Sequence, residues 1–599
     1  MSDPTAAPTA AVRREYEQRL AERRDGHEGA ARRARRLSHL RLAVFGAGLL
    51  VAVLAFGMRR IDPRWLAVPV AVFAGLVVAH DRALRRRDAA ARSVRYYEDG
   101  LARLDGAFAG RGPTGERFRD PEHPYADDLD VFGPGSLFDL VCRARTAIGE
   151  ETLARWLREP APPAEIRARQ EAVRELAPGI ALREALSLAG DAVAPGLHPA
   201  ALLRWADASG PHPPRALRAA LLGVALLSAA LLGAMLAGYP MLIPWLAVLV
   251  VAALLAAATR RHVQQVLKQT DAPARDLALL AELLALLEAQ SFHAPRLATL
   301  RSQVSVDGRP ASQRIRELRR LVELLDARRN QFFAPIGAVL LFTTQVAFAV
   351  DAWRARYAPH LREWLDAVAT LEALASLATH AFEHPDDTFG EIAEAAPCFE
   401  ADALGHPLLA ESLCVRNDVC LGDAPRALLI SGSNMSGKST LLRSVGVAAV
   451  LAQAGAPARA RRLRLSPLAI GASLRIFDSL QAGHSHFYAE IRRLRAVVDL
   501  TQGARPVCFL LDEILHGTNS HDRRIGAEAV VRALLERGAI GLVTTHDLAL
   551  AEIADERIAN VHFEDQVIDG RMHFDYRMRP GVVTRSNALA LMRSVGLEV

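Results

Sequence analysis

The pattern of apolar and polar positions divides the chain into blocks of different texture. Residues 1–41 are charged, Ala-rich and helical in pattern, and they end in the basic run ARRARRLSHLR. Residues 42–58 then hold 17 positions without a charge, and residues 65–79 form a second apolar run, with only RRIDPR between them. Arg32, Arg33, Arg35, Arg36 and Arg41 precede this pair, and Arg82, Arg85, Arg86 and Arg87 follow it. Basic flanks of this kind predict a transmembrane hairpin over 42–80 with both outer ends in the cytoplasm, although Arg59, Arg60 and Arg64 in the short loop pull the other way. A second pair is cleaner. Residues 219–238 and 241–258 carry 20 and 18 uncharged positions, broken at Tyr239 and Pro240, with Arg215 and Arg218 before and Arg260 and Arg261 after. A helix facing water needs a polar side, so this stretch predicts a second hairpin over 213–260. A hydrophobic core buried inside a soluble protein is the alternative for both pairs.

A third apolar stretch, 332–350, contains Pro335, Thr343, Thr344 and Gln345. Treating it as a span would put the two ends of the chain on opposite sides of the membrane, so it predicts a buried helix of a soluble domain. Around the second hairpin, residues 81–212 and 261–385 show apolar positions at helical spacing, as in GSLFDLVCRARTAIGEETLARWLREP and RIRELRRLVELLDARRN. They predict bundled helices long enough to act as levers.

From residue 386 the texture changes to short apolar runs alternating with helical patterns, which predicts an α/β sheet domain over 386–599. Its key stretch is LLISGSNMSGKSTLL. The pattern G-x-x-x-x-G-K-S falls on Gly432, Gly437, Lys438 and Ser439 between an apolar strand and a helical pattern. Glycines let backbone N–H groups converge on phosphate oxygens, a lysine adds a point charge, and the helix presents its positive end. The stretch 432–440, with Asn434, Met435, Ser436 and Thr440, is therefore the predicted nucleotide-binding loop. A Gly/Ser-rich connector would share the composition without the strand, loop and helix in this order.

About 75 residues later, VCFLLDE is a buried strand ending in Asp512 and Glu513. In such a domain Asp512 and Ser439 would hold Mg²⁺, and Glu513 would orient and deprotonate the attacking water. GAIGLVTTHD is a third strand ending in Thr544, Thr545 and His546, which places His546 where it would sense the γ-phosphate. ATP and Mg²⁺ are the expected cofactors.

GSNMSGKSTLLR, LLDEILHGTNSHD and LVTTHD, in this order, resemble the ATPase domain of the MutS family. GHPLL (405–409), RND (416–418), GHSHFYAEI (483–491), IANVHFE (558–564) and RPGVVTRSNALALMRSVGL (579–597) are similar to further segments of that domain, and LFDLVCRARTAIGEETLARWL to the family's helical core. The resemblance implies an ABC-type P-loop NTPase fold, hydrolysis of ATP to ADP and phosphate, and a homodimer whose nucleotide sites are completed across the interface. It implies that Gly517, Thr518, Asn519 and Ser520 approach the partner's nucleotide, with Gly483, Ser485 and Phe487 shaping the same interface. It also implies duplex DNA as a partner. Ahead of the core stand only the charged segment and the first hairpin, so the family's mismatch-reading domain with its Phe-x-Glu wedge, its connector domain and its carboxyl-terminal helical extension are not expected. A membrane-tethered mechanical ATPase that acts on a protein or on the membrane, without DNA, is the competing expectation.

Composition adds little to this. The formal net charge of +6 suits a cytoplasmic membrane face as well as nucleic acid. Cys142, Cys398, Cys414, Cys420 and Cys508 form no C-x-x-C pair, as in a reduced intracellular protein. The polar, Arg-rich first 40 residues do not predict a cleavable signal peptide, and the expected location is a multi-pass inner-membrane protein with its helical core and ATPase in the cytoplasm.

Overall fold

The computed structural model describes residues 6–191, 199–207, 215–270, 273–327, 334–433, 435–475, 486–515, 519–546, 555–568 and 571–582. The chain forms two compact units. One comprises Met1–Arg143, Leu153–Glu184 and Leu374–Val599, the other Ala144–Thr152 and Ala185–Ala373.

In the first unit, helix α1 (Ala6–Ala52) joins the charged segment and the first apolar run in one continuous rod, and α2 (Ala67–Leu104) returns beside it. The turn between them uses a π-helical turn at Val53–Gly57, Arg59 at φ 52°, and a 3₁₀ turn at Pro63–Leu66. Asp62 caps that last turn, its carboxylate accepting from the Arg64 N–H at 2.8 Å, a contact that contributes about 1 kcal/mol. Packing is concentrated at the polar end of the hairpin. Tyr16 and Tyr97 are fully buried there with ring centroids 5.7 Å apart, and Gly100 lets them close, since a Cβ at that position would lie 2.6 Å from the Tyr16 ring. At the apolar end the large side chains of Leu42, Phe45, Leu49, Leu50 and Trp65 are exposed.

The second unit carries helices α3 (Arg215–Leu236) and α4 (Leu242–Thr270), joined at Gly238 with φ 94°. Leu221 and Ala252 pack with Leu341 and Phe348 on one side of this pair, while Leu226, Ile243, Val250 and Leu254 stay exposed on the other. Among the described residues, α1, α2, α3 and α4 are the helices long and apolar enough to cross a membrane. The described part of 332–350 is not one of them. It splits into Ala334–Val339 and Phe342–Tyr357 at Leu341, which has φ 51°, and Val346, Ala347, Phe348 and Val350 are buried.

Helix α5 (Leu361–Glu383) leads from the helical region to the sheet domain and is buried along most of its length. The main sheet consists of β1 (Ala427–Ser431), β2 (Ala469–Ser473), β3 (Val507–Asp512), β4 (Ile540–Thr545), β5 (Ile558–Ile568) and β6 (Arg571–Pro580), in the order β2-β3-β4-β1-β5-β6. The first five strands are parallel and β6 is antiparallel. Every residue of β1 and β4 is buried, as continuous apolar strands covered on both faces should be. Helices α6 (Lys438–Ala454), α7 (His486–Asp499) and α8 (Ser520–Glu536) follow β1, β2 and β3. A smaller four-stranded sheet, Glu391–Ile392, Arg462–Leu465, Phe399–Leu404 and Asn417–Leu421 in that order, completes the domain. The molecule is thus a predominantly helical, multidomain protein with a mixed sheet at its carboxyl-terminal end.

Candidate functional site

The parallel register brings the carboxyl ends of three strands to one edge. Ser431 of β1 pairs with Thr545 of β4, and Asp512 of β3 pairs with Thr544. The loop from Gly432 to Gly437 leaves β1 at this edge, and α6 starts at Lys438 with Gly437, at φ 105°, in the N-cap position. Gly432 has φ 150°, and a Cβ there would lie 3.0 Å from the Phe563 carbonyl oxygen. The same addition at Gly437 would meet the Tyr576 ring at 3.2 Å. Both positions therefore demand glycine on conformation and on space.

Lys438 is 4 % exposed. Its ammonium group donates to the carbonyl oxygens of Gly432 at 2.7 Å and Ser433 at 2.9 Å, and lies 3.4 Å from Glu513 Oε1. The hydroxyl oxygens of Ser433 and Ser436 are buried and have no hydrogen-bond partner among the described residues. Buried orphan hydroxyls facing a glycine loop with a buried ammonium are a set that phosphate oxygens would complete.

The acidic side of the site is built around Thr544. Its hydroxyl donates to Asp512 Oδ1 and accepts from the Glu513 N–H at 3.0 Å. Glu513 adopts φ 48°, so the chain turns sharply between the two carboxylates. His546 Nδ1 lies 3.6 Å from Glu513 Oε1. One cluster thus holds Lys438, Asp512, Glu513, Thr544 and His546. Ser439 stands half-buried in the first turn of α6, Thr440 is exposed, and Met435 is 83 % exposed at φ 70°. The residues fit a nucleoside triphosphate with a divalent cation: amides and ammonium for the phosphates, hydroxyl and carboxylate for the metal.

Asn434, Gly483, Ser485, Gly517 and Thr518 lie outside the described residues, as does the side chain of Ser520. Asn519 caps α8, its side-chain oxygen accepting from the Asp522 N–H at 2.9 Å, and Phe487 packs against the core between the sheet and α8. Three supporting residues lie in segments singled out by resemblance, GHSHFYAEI, RND and GHPLL, but without a role read from the sequence. Buried Glu490 accepts from the Leu515 N–H and so fixes the turn after Glu513. Asn417 accepts from the Met578 N–H at 2.7 Å and donates to the Tyr576 carbonyl at 3.0 Å, setting Tyr576 beside the loop. His406, in GHPLL, is buried beside Arg443 and Arg459. Burial first and those cations second push its pKa down to about 4, so it is a neutral structural group.

Comparison with known proteins matches this region. The family model for MutS domain V covers residues 428–598. The chain is 35 % identical over 200 residues to the endonuclease MutS2 of Thermus thermophilus, covering 32 % of this chain and 25 % of that protein. It is 32 % identical over 266 residues to the DNA mismatch repair protein MSH6 of Arabidopsis thaliana, covering 40 % and 20 %. It is 35 % identical over 246 residues to the DNA mismatch repair protein MutS 2 of Halobacterium salinarum, covering 39 % and 27 %. The chain therefore spans about a quarter of the length of these curated relatives. The carboxyl-terminal part of the chain is thus similar to domain V of the MutS family.

Proposed function

We propose that this chain is a membrane-anchored, Mg²⁺-dependent ATPase that works as a homodimer on duplex DNA. The observation that carries the catalytic part is the cluster of Lys438, Asp512, Glu513 and Thr544 at the carboxyl edge of the sheet, beside the glycine loop. Lys438 and the loop amides bind the phosphates. Ser439 and Asp512 hold the metal, which supplies charge neutralisation when bound. Glu513 takes the proton of the attacking water, and His546, beside it, responds to the γ-phosphate. Gly517, Thr518, Asn519 and Ser520 of one subunit face the nucleotide of the other. Closure of the dimer on ATP moves the helical levers, because the closed form binds ATP more tightly than the open one.

The test of the catalytic assignment is Glu513→Gln. Nucleotide binding stays within a few-fold of wild type while turnover falls by about 10²–10⁴. Unchanged turnover removes Glu513 from its role.

Membrane anchoring is supported by the exposed apolar faces of α1 to α4. DNA as the partner is supported by the relatives named DNA mismatch repair proteins. One observation favours the reading without DNA. In helix Ala311–Ala327, Arg314 is buried over the Tyr357 ring and Arg319 lies 3.2 Å from Glu323, so neither is a free cation facing phosphates. A titration with duplex DNA at increasing salt separates the two: affinity that falls steeply with salt supports DNA, whereas no binding at low salt with ATPase intact assigns the levers to a protein or membrane partner.

A further inference from the structure

The buried carboxylates and hydroxyls of α5 have assigned partners. Glu372 accepts from the Arg145 N–H at 2.9 Å, Ser376 from the Arg143 N–H at 2.9 Å, Thr379 from the Arg183 guanidinium at 3.1 Å, and Glu383 from Arg103 at 2.8 Å. His380 breaks this pattern. Its side chain is 1 % exposed, and neither ring nitrogen has a hydrogen-bond partner among the described residues. Asp387, seven residues on, is 3 % exposed at the side chain, and its Oδ2 is likewise without a partner. An imidazole and a carboxylate buried side by side with open lone pairs cost free energy unless something binds them.

The two groups face each other. His380 Nε2 lies 4.0 Å from Asp387 Oδ2, too far for a hydrogen bond. His384, one helical turn after His380, brings its ring to 4.5 Å from the His380 ring. One ligand atom from each of His380, His384 and Asp387 falls within 4.8 Å of the other two. His384 Nδ1 donates to the His380 carbonyl oxygen at 3.0 Å, which leaves Nε2 as the nitrogen with a free lone pair. That backbone contact is the usual way a metal-binding histidine has its tautomer fixed.

We propose that His380, His384 and Asp387 form a Zn²⁺ site at the end of α5. Two imidazoles and one carboxylate are a borderline donor set that suits Zn²⁺ rather than Mg²⁺ or Ca²⁺. Bond lengths near 2.1 Å place tetrahedral ligand atoms roughly 3.4 Å apart, so atoms that now lie within 4.8 Å of one another must draw together by no more than about 1.4 Å. Among the neighbouring cations, Arg103 pairs with Glu383 at 2.5 Å, Arg416 with Glu411 at 2.7 Å and Arg459 with Glu411 at 3.6 Å, while Arg143 donates to the Leu140 carbonyl at 2.6 Å. His384 and Asp387 line a cleft of about 1070 Å³, so the fourth coordination position opens to water or to a donor entering the cleft. All three ligands sit where α5 ends and the strand Thr388–Phe389 begins, so the bound ion would fasten the entrance of the sheet domain.

The test uses full-length, tag-free protein treated with a chelator and kept in excess Mg²⁺ to occupy the nucleotide site. Titration with Co²⁺, followed by its visible absorption, yields one tetrahedral ion per chain that Zn²⁺ displaces, and Zn²⁺ raises the thermal unfolding midpoint. His384→Gln and Asp387→Asn each weaken binding on the order of 10–100-fold or more and abolish the thermal shift, while ATP binding shows that the variants are folded. Absence of tetrahedral Co²⁺ absorption at one equivalent of metal, or the same affinity in both variants, overturns the assignment.

Discussion

Thr544 shows how much of the site depends on a side chain that does no chemistry itself. Its hydroxyl bridges the Asp512 carboxylate and the Glu513 amide, so one oxygen sets the positions of the proposed metal ligand and the proposed general base. Replacement by valine keeps the branched shape and the strand, but leaves the Glu513 N–H without its acceptor and releases Asp512. Thr544→Val is expected to lower turnover on the order of 10–100-fold and to raise the Mg²⁺ concentration needed for half-maximal rate, with folding unaffected. Steady-state ATPase measured against Mg²⁺ decides it, and an unaltered Mg²⁺ curve would show that Asp512 is held by other means. The meeting of Lys438, Asp512 and Glu513 at one edge of the sheet was legible in the sequence because each sits within a short run at a strand end. The bridge through Thr544 was not. It joins residues 32 apart through strand pairing, and the sequence gives only a polar trio at a strand end.

At the scale of the element, α5 illustrates what periodicity leaves out. REWLDAVATLEALASLATHAF reads as an ordinary helix of a bundle, apolar on one face. In the structure Leu371, Leu374 and Leu377 are fully buried, but so are Glu372, Ser376 and Thr379 to within a few per cent. Their partners lie far back in the chain, 227 residues away for Arg145 and 233 for Arg143, which no local pattern can reveal. Burial pushes the Glu372 carboxyl up to about 7, against the hydrogen bonds from Thr146 and Arg145, which favour the charged form. A carboxyl whose folded pKa exceeds its unfolded value of 4.5 stabilises the fold below the unfolded pKa. Its contribution is lost as pH rises through the folded pKa, so the loss develops between pH 4.5 and about 7 and amounts to about 3 kcal/mol in order of magnitude. Hydrogen-exchange protection of the α5 amides, corrected for intrinsic rates, should therefore decline across that window and then level off. Glu372→Gln should flatten the dependence. Protection in the wild type that stays constant from pH 5 to 8 would mean that Glu372 is ionised throughout.

At the scale of the whole molecule, the distribution of exposed apolar surface is the feature that needs a cause. Large apolar side chains on α1 to α4, including Leu42, Leu49, Leu226, Ile243 and Leu254, are half or more exposed. Large apolar side chains exposed along long helices point to coverage by lipid or by protein. The sequence revealed the hairpins because uncharged runs of this length are a compositional signal that needs no partner to be seen. The same runs cannot report what covers them; in a membrane, their arginine flanks would set the orientation. If lipid covers them, the turn at Tyr239 lies on the side of the membrane opposite the nucleotide site, because α3 and α4 each cross once. A Tyr239→Cys variant should then react with a membrane-impermeant maleimide in intact cells. Cys420, exposed on the sheet domain, provides the internal reference and should react only after lysis. Labelling of both sites only after lysis, with the protein recovered in the soluble fraction without detergent, would instead mean that the apolar faces are covered by protein.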